Sequence, residues 1–399
     1  MTTMMGTTAE AVAGLNEEMV ATRRRLHQNP ELGFRETETA ALVAARLRAI
    51  DGVEEIRERV GGTGVTAVIR GARPGPILLC RADIDALPIV EATGALYAST
   101  SDGVMHACGH DGHTSILLTV AHVLAARRDQ FAGTAFLVFQ PAEEILTGAQ
   151  AMLDDGVLDL VGGPVVATLG LHLANWLPLG TVGVRVGPSF AAVDRFTASI
   201  TGRGGHGAAP HQAVDPVVTA AEAVLALQRI VARELNPLDR AVLSVCRIDG
   251  GSAFNIIPER VELEGTVRTF DPAVRAAIGS KIERVLAGVA LAGEARHDLL
   301  IEAGPPAVVN SPEMCAIVRA AAVPVVGVEN VIESDPTMGG DDVALFLEKA
   351  PGCYFLVGSS DPARGYDAAH HHPRFNFAEE ALSTAATVFA DAALGYLRR

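Results

Sequence analysis

The apolar run at positions 76–82 ends directly on Asp83 and Asp85, the run at 134–139 on Gln140, Pro141, Ala142, Glu143 and Glu144, and the run at 165–171 on His172. A fourth run, 353–357, is followed by a loop that reaches His370, His371 and His372. Apolar stretches of this length bounded by turn residues read as buried strands. With a further strand at 65–69 and helical patterns near 15–28, 36–50 and 112–127, they predict an α/β fold: a mostly parallel sheet with helices on both faces. In an open parallel sheet the C-terminal strand ends share one rim, where such folds bind ligands. The carboxylates and imidazoles that follow the runs would therefore converge, as a metal site requires.

At 399 residues the chain exceeds what one core usually covers, so two domains are expected. A second rhythm begins near position 186: strand 193–201, helix 214–232, strands 241–248 and 261–269, helix 273–290, strand 296–301. That β-α-β-β-α-β order is the ferredoxin-like pattern. It predicts an inserted α+β domain over 186–304. Segments 1–185 and 305–399 remain for the metal-binding domain, closed by a helix at 379–397.

A formal net charge of -15 disfavours nucleic acid and anionic membranes as partners. Segment 1–14 lacks a basic region followed by an apolar one, which argues against a secretion signal and for a cytoplasmic protein. Segment 160–184 is long enough to span a bilayer, but Gly162, Gly163, Pro164, Gly170, Pro178 and Gly180 interrupt it, and a buried strand explains it better. Five cysteines without scaffold spacing agree with a reducing compartment. Cys80, Cys246, Cys315 and Cys353 sit among apolar neighbours and read as small core residues.

Cys108 differs, because it lies in His106-Ala-Cys-Gly-His-Asp-Gly-His113 just before a helical run. Cys108 and His110, two apart in a glycine-containing turn, can reach one cation, which would hold the thiol as thiolate. Glu143 and Glu144 are adjacent, so in an extended loop one carboxylate can bind metal while the other addresses a water acidified by it. Thiolate, imidazole and carboxylate ligands suit zinc, manganese, cobalt or nickel about equally. No glycine-rich phosphate loop follows a first strand, which disfavours a nucleotide enzyme.

Together, Arg81-Ala-Asp-Ile-Asp-Ala-Leu-Pro88, the Cys108 segment, Gln140-Pro-Ala-Glu-Glu144, Gly202-Arg-Gly-Gly-His206, Gly250-Gly-Ser-Ala-Phe-Asn-Ile-Ile-Pro258 and His371-His-Pro-Arg-Phe375 resemble the M20 peptidase superfamily. Within it they are similar to the amidohydrolase branch, which includes hippurate hydrolases, indole-acetyl-amino-acid hydrolases and N-acyl-amino-acid deacetylases. The resemblance implies two divalent metal ions per subunit, held by Cys108, His110, Glu144, His172 and His371. His370 and His372 stay open as alternatives to His371. Glu143 would be the general base and Asp85 would orient a histidine ligand, with Asp83 sharing that work or capping its strand. His206 would donate to the oxyanion, from its own or a partner subunit. Asn255 and Arg268 would hold the substrate carboxylate, and Gly340, in the flexible loop Met338-Gly-Gly-Asp-Asp342, would line the pocket. The implied reaction is hydrolysis of a small N-acyl amino acid, by a homodimer or tetramer assembled through the inserted lid domain. A metallo-aminopeptidase or dipeptidase, and a non-catalytic binding protein on the same fold, are the alternatives. His27, His113, His122, His211 and His297 read as surface or supporting groups.

Overall fold

The computed structural model describes residues 6–399, so the first five residues of segment 1–14 lie outside the described residues. Helices α1 (Thr8–Gln28) and α2 (Thr37–Arg48) precede strands β1 (Glu54–Val60), β2 (Gly64–Arg70) and β3 (Arg73–Asp83). Then follow α3 (His110–Ala126), β4 (Ala132–Gln140), α4 (Gly148–Asp154), β5 (Val165–Pro178), β6 (Val182–Gly183) and β7 (Gly187–Phe190). The middle of the chain forms β8 (Ala192–Thr201), β9 (Gly205–His206), α5 (Pro216–Arg229), β10 (Ala241–Asp249), β11 (Ile256–Ile257), β12 (Arg260–Thr269), α6 (Pro272–Ala292) and β13 (Arg296–Ala303). It closes with β14 (Val308–Asn310), α7 (Pro312–Val326), β15 (Val331–Ile332), α8 (Ala344–Lys349), β16 (Gly352–Ser360) and α9 (Glu380–Leu397).

Two compact units result. The first runs up to Ser189 and resumes over Val308–Asp335 and Asp342–Arg399, and the second comprises Phe190–Ala307 and Pro336–Asp341. In the first, eight strands form one sheet in the order β1-β2-β4-β3-β5-β16-β6-β15. The central strands β4, β3, β5 and β16 are mutually parallel. On one flank β2 is antiparallel to β4 and β1 to β2; on the other β6 is antiparallel to β16. The sheet is therefore mixed, which corrects the mostly parallel expectation. The flanking strands were hard to read. β1 (Glu-Glu-Ile-Arg-Glu-Arg-Val) is a charged edge strand with no apolar run, and charge on an edge blocks pairing with another chain. The apolar segment tested above as a membrane span is β5, and among the described residues no helix is long and apolar enough to cross a membrane.

Side-chain alternation divides the first unit's core. Leu78, Cys80 and Ala82 of β3 join the cluster formed with α1, α3, α7 and α9, whereas Leu79 faces the smaller cluster containing Met152 of α4 and Phe346 of α8. α9 is rich in alanine, a strong helix former, and it is apolar on most sides because helices and the sheet surround it. In the second unit, β10-β12-β8-β13 make an antiparallel sheet with α5 and α6 packed against it. Asp215 and Asp271 cap these helices, accepting hydrogen bonds from Val217 N at 2.8 Å and Ala273 N at 2.6 Å. Cys246 is exposed, contrary to the core reading. The register passes from Val245↔Gly265 to Arg247↔Glu264, so Cys246 is the extra residue of a bulge and turns out of the packed face.

Phe389 of α9 is 1% exposed and packs edge-on against Phe355 of β16, ring centroids 6.0 Å apart. Phe389→Ala should lower the unfolding free energy by about 3–5 kcal/mol in chemical denaturation, and a loss under about 1 kcal/mol would contradict this packing.

Candidate metal centre

Three chain segments and one strand bring the polar groups together in the first unit. The turn before α3 carries Cys108, His110 opens the helix, the loop after β4 carries Glu143 and Glu144, and the loop before α9 carries His371. His172 comes from β5, which continues past it to Pro178; the histidine lies within the strand and not at its end. The ligand atoms of Cys108, His110 and His172 lie within 4.8 Å of one another, as do those of Cys108, Glu144 and His371. Cys108 belongs to both groups, so its sulfur is within reach of either.

Hydrogen bonds fix which atoms face the cluster. His172 Nδ1 lies 2.6 Å from the Leu173 carbonyl, which can only accept, so the proton is on Nδ1 and the Nε2 lone pair faces Cys108 Sγ at 3.5 Å. Asp85 does two tasks. Its backbone oxygen and Oδ1 lie 3.0 and 3.2 Å from His110 Nδ1, leaving Nε2 for the cluster, and its Oδ2 accepts from the Glu144 backbone at 2.9 Å. Asp83 instead pairs with Arg81 Nη1 at 2.7 Å and His113 Nδ1 at 2.6 Å. In the histidine triplet, His370 Nε2 accepts from Asn175 N at 3.2 Å and His372 Nδ1 from Arg374 N at 3.0 Å. His371 Nε2 is the nitrogen that reaches Glu144, at 3.3 Å from Oε2.

The donor set fits a divalent cation. His110 Nε2 stands 3.6 Å from Asp83, 3.8 Å from Glu143 and 3.8 Å from Glu144. His110 Nε2 and Glu144 Oε1 are buried without a hydrogen-bond partner, which is costly unless a cation satisfies both. Burial opposes charge on His110, but Asp83, Asp85 and Glu144 outweigh it and push the imidazole up to about 10. Burial pushes Glu144 up to about 8, with Asp85 and Asp83 adding to it against His110. Burial, then His113 and His370, hold His172 well below the usual range. Glu144 and His110 thus retain protons that a cation would displace.

Strained backbone marks two of the loops. Ala142 (φ 52°) and His371 (φ 64°) are left-handed without being glycine, a conformation that persists only where surrounding structure enforces it. Buried Glu36 accepts from Ala142 N at 2.9 Å, and His371 N donates to the Ala107 carbonyl at 2.8 Å. Asn175, which carried no sequence signal, donates to the carbonyls of Ala368 and Asn376 and holds the His371 loop. Fully buried Arg23 and Asp111 pair at 2.8 Å beside His27, which is also buried, and anchor the start of α3. Asp342, read as part of a flexible loop, is fully buried and accepts from Gln140 Nε2 at 2.6 Å and Ala149 N at 2.9 Å.

The remaining predicted residues lie in the second unit. His206 is exposed and pairs with Ile256 across β9 and β11, which sets it beside Asn255, whose carbonyl accepts from Gly207 N at 2.8 Å. Arg268 is half-buried on β12, its Nε donating to Thr266 Oγ1 at 2.9 Å. A Cβ on Gly340 would lie 2.1 Å from Val193 Cγ2, so a side chain here would displace Val193, whereas Arg268 Nη1, at 3.6 Å, would be in ordinary contact.

The family model described as Peptidase family M20/M25/M40 matches residues 79–395. N-acetyl-L-cysteine deacetylase of Bacillus subtilis is 42% identical, the alignment covering 92% of this chain and 85% of the relative. IAA-amino acid hydrolase ILR1-like 2 of Arabidopsis thaliana is 38% identical over 95% and 85%. Among solved structures, the Bacillus subtilis YXEP protein, a dinuclear metal-binding peptidase of the M20 family, superposes with a TM-score of 0.82 at 36% identity, covering 96% of this chain and 99% of that one.

Asp85→Ala should weaken zinc binding by about 10–100-fold in a calorimetric titration of the metal-stripped protein, because His110 loses the carboxylate half of its support and the Glu144 backbone loses its acceptor. An affinity equal to that of the wild type would contradict the role given to Asp85.

Proposed function

The chain belongs to peptidase family M20/M25/M40, and on that footing we propose that it hydrolyses the amide bond of small N-acyl amino acids, releasing a carboxylic acid and the free amino acid. It is a hydrolytic enzyme of the family's amidohydrolase branch and depends on divalent metal. Cys108, His110, Glu144, His172 and His371 are the residues that would hold two ions, with zinc, manganese, cobalt or nickel as candidates. The observation that supports this most is the membership of Cys108 in two three-residue groups, with His110 Nε2 and Glu144 Oε1 buried beside it without a hydrogen-bond partner.

Bound there, the ions would polarise a scissile carbonyl and acidify a water. Glu143 is 6% exposed, and its Oε2 stands 3.8 Å from His110 Nε2. It takes the proton from the attacking water and passes it to the departing amine, which cannot leave as an anion. His206 donates to the developing oxyanion, and Asn255 and Arg268 receive the substrate carboxylate, the guanidinium through a two-pronged contact. Gly340 lines the pocket. The second unit serves as a lid and as the interface of a homodimer, and the enzyme works in the cytoplasm.

Glu143→Gln keeps shape and hydrogen bonding but cannot accept a proton. The variant should bind metal as the wild type does and lose about 10²–10⁴-fold in kcat on an N-acetyl amino acid. The wild type should hydrolyse N-acetyl amino acids in preference to dipeptides with a free amine. An active Glu143→Gln enzyme would overturn the assignment of the base, and a preference for dipeptides would overturn the substrate class.

A further inference from the structure

Trp176, the single tryptophan of the chain, lies on β5 four residues beyond His172. Side chains alternate along a strand, so positions 172 and 176 share a face. The indole is 48% exposed, and its ring centroid lies 6.2 Å from that of His172 and 5.1 Å from that of His370. Its N–H has no hydrogen-bond partner among the described residues. Tryptophan offers one of the largest apolar surfaces of any side chain, and leaving half of it in water forgoes stabilisation that a bound apolar group would recover. Other large apolar residues are exposed as well, but this one borders a proposed metal ligand.

The surroundings indicate which part of a substrate it would meet. His172 Nδ1 donates to the Leu173 carbonyl, and His370 Nε2 accepts from Asn175 N. An apolar acyl group would gain ring-to-ring contact with the exposed indole here. We infer that Trp176 is a specificity-determining residue, whose exposed indole packs against the acyl group of the substrate and favours aromatic acyl groups over acetyl. The inference rests on the amidohydrolase reading above.

Values of kcat/KM for N-benzoylglycine and N-acetylglycine, measured on zinc-loaded wild type, Trp176→Ala and Trp176→Phe, test it. The wild type should prefer the benzoyl substrate. Trp176→Ala should lower the benzoyl-to-acetyl ratio about tenfold, with the acetyl value within about twofold of wild type, and Trp176→Phe should restore most of the preference. An unchanged ratio in Trp176→Ala overturns the inference, whereas a wild type that hydrolyses neither substrate overturns the amidohydrolase reading instead. A second measurement needs no turnover. Benzoate titrated into the zinc-loaded wild type should change the emission of the one tryptophan saturably, and acetate should not; emission indifferent to benzoate overturns the inference even if the variants fail to fold.

Discussion

Three buried carboxylates, those of Asp83, Glu143 and Glu144, stand within 3.8 Å of one imidazole nitrogen, His110 Nε2, with the Cys108 thiol in reach of the same cluster. Acidic groups at that spacing cannot all remain ionised in a low-dielectric interior unless positive charge accompanies them. Protons supply part of that charge, which is why His110 and Glu144 both hold theirs far above the ordinary range. Divalent cations supply it better, because they also satisfy the two buried atoms that no hydrogen bond reaches. The sheet, the loops and their anchors are arranged to keep this unfavourable crowd in place.

That arrangement uses backbone contacts more than side-chain packing. Asp85 holds His110 with one part of its residue and the Glu144 backbone with another, so two ligands share one support. Glu36 fixes the strained turn at Ala142, and Asn175 fastens the His371 loop to β5 through two carbonyls. Asp342 ties the last residue of β4 to the start of α4, which keeps the glutamate loop from drifting. Each tie joins segments distant in sequence, so the cluster exists only when the first unit is fully folded.

The polar groups that end the apolar runs, Asp83, Asp85, Glu143, Glu144 and His172, were legible in the sequence because charged groups in that position seldom serve packing alone, whereas the choice of His371 within its triplet came from the family resemblance. The four central parallel strands were legible for the same reason, and their parallel direction is what carries Asp83, Gln140 and His172 toward one region. The flanks were not: β1 is charged and β6 and β15 are two residues each, too short for any period to show. Cys246 misled because apolar neighbours say nothing about a bulge. Asn175 and Trp176 carried no signal at all, since an asparagine that accepts and donates across 200 residues looks like any loop asparagine until the loop is in place. His27 shows the same limit: its partner Asp111 is 84 positions away.

Anomalous diffraction from crystals of the zinc-loaded protein tests the central claim most directly. It should show two peaks flanking the Cys108 sulfur, each at about 2.3 Å from it, with His110 and His172 on one ion and Glu144 and His371 on the other. A cation bound without Cys108, or no ordered cation in this cluster, would contradict the account.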